Sequence, residues 1–320
     1  SYKLKFFSEH LNILNKQNID EIACKYTNQA DVLIALSGTG LNAGKKIIKN
    51  DKIYMCERSS SHIVFQNEIL SEEYKEFNQP QFTINKWIID RELKEYEEAN
   101  MILVPSSFVK KSFENFNINK THVLEFGVNL QNFFPIDTVK KDDKFFDILF
   151  IGQLSIRKGL HYLIDAFHQF KHPHKRLHIV GSHTRDKDFF SNKIKHEKII
   201  VYGHINHLQL NDIINKSHVF VLPSIEEGMA VVVSQAIASG CPVIVSENTG
   251  AAELVSENKC GFVVPIRNPK AIADKLTLLT DNKTLLNELS DNAHKTVKKR
   301  TWENYADKLD QLIVSFKQNK

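Results

Sequence analysis

The chain has 320 residues, 42% of them hydrophobic and 25% charged, a globular composition that excludes disorder and is long enough for two ordinary domains. A net charge of +4 is too small to argue for nucleic acid as a partner. No apolar run approaches the roughly 20 residues of a membrane-spanning helix, and the start, Ser1-Tyr-Lys-Leu-Lys-Phe-Phe, turns polar too soon for a signal peptide.

In chain order, DVLIALS, KIYMCE, ANMILVPS and THVLEFG read as strands, with helical runs between them. Pro135 to Lys144, charged and weakly apolar, is the linker candidate. From Phe145 onward the apolar runs FFDILFIG, LHIVG, KIIVYG, HVFVLPS, PVIVS and GFVV alternate with amphipathic segments. Continuous β-branched runs of this kind are strands buried on both faces, as in a parallel sheet. Between the first two lies GLHYLIDAFHQF, with Leu160, Leu163, Ile164 and Phe167 at helical spacing; HLQLNDIINKS is helical again. Asn268-Pro269 supplies a cap and a first-turn proline, and Thr301 to Phe316 forms the last helix. Alternating β and α units predict an α/β protein of two doubly wound, Rossmann-like domains, over 1–140 and 141–300. The first half is short for such a domain and lacks an opening strand with its own glycine turn, so it reads as incomplete, with a segment expected ahead of Ser1.

Three successive strands of the second half end in glycine, at Gly152, Gly181 and Gly203. Ligands of such sheets bind outside the carboxyl ends of the strands, where glycine admits a close backbone approach. After HVFVLPS comes Ile225-Glu226-Glu227-Gly228, then an apolar segment closed by Gly240 and Pro242. The stops at Gly228 and Gly240 favour a helix from about Met229 to Ser239, although Val231, Val232 and Val233 would also suit one long strand. The amides from Gly228 onward then form a helix N-terminus suited to a phosphate. Val231 and Gln235 share one face, and Gln235 among alanines and valines must find hydrogen-bond partners.

At these residues a resemblance becomes specific. Pro223-Ser224-Ile-Glu-Glu227-Gly228, Ala238-Ser-Gly240-Cys-Pro242-Val243, Gly250-Ala-Ala-Glu253 and Gly261-Phe-Val-Val-Pro265 resemble the family-4 retaining glycosyltransferases of the GT-B fold. Upstream, Gly152-Gln153-Leu154 with Arg157-Lys158-Gly159 is similar to that family's phosphate-binding segment. Cys56-Glu-Arg58-Ser-Ser-Ser-His62-Ile with Gln66, then Val104-Pro-Ser-Ser-Phe-Val109 and Phe126-Gly-Val128, is similar to one branch of its acceptor domain.

The resemblance implies two domains flanking a cleft, with nucleotide sugar held by the second, acceptor by the first, and a helix over 301–320 returning to the first. It implies that Lys158, helped by Gln153 or Arg157, neutralises the departing diphosphate and that Glu227 addresses the donor sugar. Gly228, Met229, Ala230 and Val231 would offer amides, with Gly152 and Gly181 alongside and His204, Ile205 and Asn206 near the base. Arg58 and His62 are acceptor-side candidates. Many members have arginine where Gln153 stands, and the family's second glutamate, which grips the ribose, is here Gln235, a weaker uncharged acceptor. The expected reaction is metal-independent transfer from a UDP-, GDP- or ADP-sugar to a glycan, lipid-linked or small-molecule acceptor, with no cofactor. A non-catalytic homologue acting as scaffold or regulatory subunit is the alternative that Gln235 motivates.

Other patterns compete. Ser37-Gly38-Thr-Gly40-Leu-Asn-Ala43 after a strand, with Glu57 following, imitates a dinucleotide fingerprint and motivates an NAD-dependent oxidoreductase reading, but the helix after it is short. Asp186-Lys-Asp188 imitates the D-x-D of metal-dependent transferases, yet its lysine marks solvated charge. The fourteen histidines include no H-E-x-x-H, and no metal is expected. Cys24, Cys56, Cys241 and Cys260 form no C-x-x-C pair and sit in or beside apolar stretches, which predicts reduced thiols and a cytoplasmic protein. Lys45-Lys-Ile-Ile-Lys49 and His294 to Arg300 are basic stretches that could touch anionic lipid at a membrane's inner face.

Overall fold

The computed structural model describes residues 2–182, 184 and 186–318. It divides into two compact units, residues 1–75 with 80–124, and residues 76–79 with 125–320. The division precedes the Pro135–Lys144 segment for a physical reason. Phe133 is buried, and Asn211 and Asn215 take the backbone of Phe134 and Ile136, the Ile136 N–H donating to Asn215 Oδ1 at 2.8 Å. That segment is thereby fastened to the second unit.

The first unit contains α1 (Tyr2–Tyr26), β1 (Val32–Leu36), α2 (Leu41–Lys49), β2 (Ile53–Glu57), α3 (Ile63–Glu76), α4 (Lys86–Glu98), β3 (Met101–Val104), α5 (Ser107–Glu114) and β4 (Thr121–Val123). Its four strands are parallel in the order β1-β2-β3-β4. Tyr54 and Cys56 of β2 and Ile102 and Val104 of β3 build a core with Ile63, Tyr96, Val109 and Phe113 from the helices. Apolar runs buried on both faces are what a parallel sheet requires of its inner strands. The four strands expected from the sequence are present, and the long α1 precedes them.

The second unit contains β5 (Phe146–Ile151), a 3₁₀ turn (Ile156–Lys158), α6 (Leu160–Gln169), β6 (Lys175–Val180), α7 (Lys187–Ser191), β7 (Ile199–Gly203), α8 (His207–Lys216) and β8 (Val219–Leu222). It continues with α9 (Val231–Ala238), β9 (Val243–Ser246), α10 (Ala252–Glu257), β10 (Gly261–Val264), α11 (Pro269–Asp281), α12 (Lys283–Thr296) and α13 (Trp302–Gln318). The valines of α9 go into a helix: it is closed at Gly240, which takes φ +71°, a value open chiefly to glycine. Asn268 caps α11 by accepting from the Ala271 N–H at 2.9 Å, with Pro269 in the first turn as expected. α13 lays Trp302 and Tyr305 around Phe126 within the same unit.

The strand order is β10-β9-β8-β5-β6-β7, every pairing parallel. The chain runs outward from β5 through β6 to β7, then returns to place β8 on the other side of β5 and runs outward again. The order therefore reverses between β5 and β8, the place where an open α/β sheet forms a crevice at its carboxyl edge. All residues of β5, β8 and β9 are buried, so this part of the sheet is a rigid platform.

Candidate active site

Two loops leave the sheet at that switch point. The first follows β5 and carries Gly152 to Gly159; the second follows β8 and carries Pro223 to Ala230. They are stitched together by the Ile225 N–H, which donates to the Arg157 carbonyl at 2.9 Å. Gly159, at φ +67°, lies so close to the second loop that a Cβ there would stand 1.9 Å from the Pro223 carbonyl oxygen. Only glycine allows both the conformation and the approach. Asp186 fastens the 3₁₀ turn by accepting the Ile156 N–H at 2.9 Å, which gives the D-x-D-like segment a structural duty. Gly181, at φ +147°, lies against the Gly152 carbonyl, where a Cβ would come within 1.8 Å.

Four charged side chains converge where the loops meet. Arg157 Nε is 2.9 Å from Glu226 Oε2, and its NH2 is 3.5 Å from Glu227 Oε2. Lys158 Nζ pairs with that same Glu227 oxygen. Glu226 is 0% exposed and Glu227 7%, so both carboxylates are desolvated and depend on these cations. Glu227 is held along its backbone as well: its N–H donates to Asn248 at 3.0 Å, and Gly250 donates to its carbonyl at 2.9 Å. Asn248 Nδ2 adds a bond to the Ile225 carbonyl at 3.1 Å. The loops after β8 and β9 thus form a short parallel pair centred on Glu227 and Thr249.

Behind Glu227, Gly228, Met229 and Ala230 lead into α9, whose N-cap position is Ala230 with no side-chain cap. One turn in, Gln235 presents a buried Oε1 with no hydrogen-bond partner among the described residues. The same holds for Ser224 Oγ, Ser234 Oγ and Thr249 Oγ1. Buried polar atoms are nearly always paired; of these four residues, Ser224 and Thr249 follow the carboxyl ends of β8 and β9, and Ser234 and Gln235 belong to α9. Gln153 is exposed at the end of β5. His204, Ile205 and Asn206 follow β7, two strands away from β5 at the sheet's edge. There the Asn206 side chain caps α8 by accepting from the Gln209 N–H at 2.9 Å.

Arg58 and His62 are enclosed within the first unit. Arg58, 8% exposed, donates to Glu92 and Gln66, both at 2.8 Å, and to the Ser61 carbonyl at 3.0 Å. The His62 ring, 1% exposed, stacks on Phe116 at 4.0 Å and packs against Phe113 and Tyr96, with neither nitrogen bonded among the described residues. Burial, reinforced by Arg58, lowers its pKa to about 4, so the ring stays neutral.

The Ser37–Ala43 loop has its amides filled from within. Gly38 and Gly40 donate to Glu95, and Asn42 and Ala43 donate to Asp20 of α1, with Arg91 pairing both carboxylates. The N–H groups that would cradle a dinucleotide pyrophosphate are therefore taken by the protein's own acids. Burial raises Glu95 to about 7 against these partners. Nothing in the sequence around Asp20 or Glu95 signals this, since both lie on helices far from the loop along the chain. Glu226 was visible as one of two adjacent acids, and a matched pair, Arg157-Lys158 against Glu226-Glu227, was the signal that could have assigned it.

Among the described residues, no group of three or more His, Cys, Asp or Glu side chains is arranged to hold a metal ion, and no helix is long and apolar enough to cross a membrane. Cys56, Cys241 and Cys260 are buried free thiols and Cys24 is half-buried. Lys46 of the first basic stretch donates to the Cys24 carbonyl at 2.8 Å, and Lys45 pairs with Glu98 at 3.2 Å.

Comparison with known proteins places this geometry. The model of the family "Glycosyl transferases group 1" matches residues 135–296, half of the chain. An uncharacterized glycosyltransferase of Methanocaldococcus jannaschii is 28% identical over 234 residues, covering 67% of this chain and 59% of that protein. The chain spans little more than half the length of the curated relatives it matches. Among solved structures, sucrose-phosphate synthase from Thermosynechococcus elongatus aligns with a TM-score of 0.77 at 19% identity, over 94% of this chain and 78% of that one. Anabaena HepE in complex with UDP and glucose aligns with a TM-score of 0.72 at 15% identity, over 93% and 81%. At such identities these neighbours speak for the fold alone, which is the GT-B class expected from the sequence.

Proposed function

Because the chain belongs to the glycosyl transferases group 1 family, we propose that it is a glycosyltransferase that moves a sugar from a nucleotide donor to an acceptor hydroxyl, with retention of configuration and without a metal. The observation that carries this reading is the pairing of Lys158 with Glu227 at the switch point between β5 and β8. A cation and a carboxylate that neutralise each other in the free protein become available together when a diphosphate arrives. Lys158 turns to the diphosphate, and Glu227 is released to accept hydrogen bonds from sugar hydroxyls.

In the transfer, the bond from the anomeric carbon to the diphosphate breaks and a bond to the acceptor oxygen forms on the same face. Positive charge grows on the anomeric carbon while negative charge grows on the departing phosphate. Lys158, with Arg157 beside it and the amides of Gly228 to Val231, is assigned to that negative charge, in a half-buried setting that strengthens electrostatic stabilisation. The leaving phosphate takes the acceptor's proton, so no separate base is required. Gln235, with its orphaned Oε1, is assigned to the ribose hydroxyls of the nucleotide. The donor is a UDP-, GDP- or ADP-sugar. The acceptor, a glycan, a lipid-linked sugar or a small molecule, is assigned to the first unit, where the burial of Arg58 and His62 makes them supports of the surface rather than contacts.

A screen of nucleotide sugars for hydrolysis and transfer tests the reading, with Lys158→Ala as control. Loss of a cation made for the transition state lowers turnover about 10²-fold or more. Turnover in the variant equal to wild type would refute the assignment. The second reading, a non-catalytic homologue, rests on Gln235 standing in place of an acid; it predicts that calorimetry finds no binding of UDP, GDP or ADP at millimolar concentration.

A further inference from the structure

The mechanism just described leaves one buried charge without a task. Glu226 is 0% exposed, contacts Arg157 through Nε at 2.9 Å, and sits beside a subsite built to attract an anion. A buried carboxylate next to a phosphate site opposes the binding of phosphate, so its presence asks for a reason. Arg157 and Lys158 are adjacent in sequence, and both reach the same Oε2 of Glu227. With Glu226 included, two cations and two carboxylates meet here.

We propose that Glu226 is a positioning residue that sets the affinity of this subsite for a nucleoside diphosphate by engaging Arg157 at Nε. Arg157 is thereby kept between the two carboxylates. When Lys158 leaves Glu227 for the diphosphate, Arg157 remains at 3.5 Å as the standing counter-ion of Glu227. Glu227 is then never an uncompensated buried charge, and Lys158 can exchange freely. The anion then meets an Arg157 whose charge is already shared by two carboxylates, which holds its affinity low enough for the product to depart after transfer. This inference rests on the reading of the site as a diphosphate subsite. It goes beyond that reading in giving Glu226 a role in product release.

The test measures UDP binding by calorimetry in the full chain for wild type, Glu226→Gln and Glu226→Met, with inorganic pyrophosphate as a second probe and thermal unfolding as the check on folding. Removing one unit of negative charge beside the subsite strengthens binding of a multiply charged anion on the order of tenfold. Both folded variants are expected to bind UDP and pyrophosphate that much more tightly, and product inhibition by UDP is expected to sharpen to match. A merely structural ion pair cannot yield a gain, so equal or weaker binding in the folded variants overturns the proposal. Failure of both variants to fold also overturns it, because a charge that only tunes affinity can be replaced by its isosteric amide. If wild type binds neither UDP, GDP, ADP nor pyrophosphate, the functional reading itself falls, and that outcome is distinct from a wild type that binds and a variant that gains nothing.

Discussion

Gly159→Ala places the sharpest demand on the geometry of the site. Gly159 has φ +67°, and a Cβ there would stand 1.9 Å from the Pro223 oxygen and 2.7 Å from its carbonyl carbon, where real contacts stay beyond 3.0 Å. The left-handed conformation costs an alanine about 1–2 kcal/mol. Forcing apart two well-packed backbones costs about 1–3 kcal/mol more. A destabilisation of about 3 kcal/mol lowers the melting temperature of a unit of this size by roughly 6–12 °C. The clash separates the loop carrying Lys158 from the loop carrying Glu227 by roughly an ångström, a displacement that lowers turnover on the order of 10²-fold. Calorimetric melting and a transfer assay with a nucleotide-sugar donor read the two consequences separately. A variant that melts within about 1 °C of wild type and turns over as fast would show that the loops are not in contact as described.

Two further predictions concern the first unit and pH. The pKa of His62 is depressed from 6.5 to about 4, so its stabilising contribution is present above pH 6.5 and is lost as pH falls towards 4. His62→Phe is expected to be as stable as wild type at pH 7.5, since neither ring nitrogen is bonded among the described residues, and less sensitive to acid in urea unfolding; a variant weaker at pH 7.5 with an unchanged pH slope would contradict the packing role. The pKa of Glu95 is raised by burial from 4.5 to about 7, so its contribution is full below 4.5 and is lost as pH rises through 7. Glu95→Gln is expected to remove this part of the slope between pH 5 and 7; an unaltered slope would show that Glu95 ionises normally.

Much of the fold was legible because it is local. Runs such as FDILFI and VIVS can be buried on both faces only in an inner parallel strand, and all their residues are buried. Asn268-Pro269 and Gly240 carry their helix boundaries in their own chemistry, a side-chain acceptor, a missing N–H and a positive φ. That Glu227 and Gly228 follow the carboxyl end of a strand was legible for the same reason, since the run HVFVL stops at Pro223. His62 shows where this kind of reading stops. A histidine after a strand looks the same in sequence whether it faces solvent or, as here, the rings of Tyr96, Phe113 and Phe116.

The sequence by itself determined the strands of both sheets and several helix ends, such as those at Asn268-Pro269 and Gly240, because propensity, periodicity and capping act over a few residues. Only the tertiary structure decided that β8 returns to the side of β5, bringing residues 69 positions apart into one ion pair. It alone decided that Glu226 is sealed from water while Gln153 is not, and that Asp20 and Glu95 fill the glycine-rich loop. Strand order and burial depend on contacts between distant parts of the chain, and the free energy of such contacts is set by which surfaces meet, which no short stretch encodes.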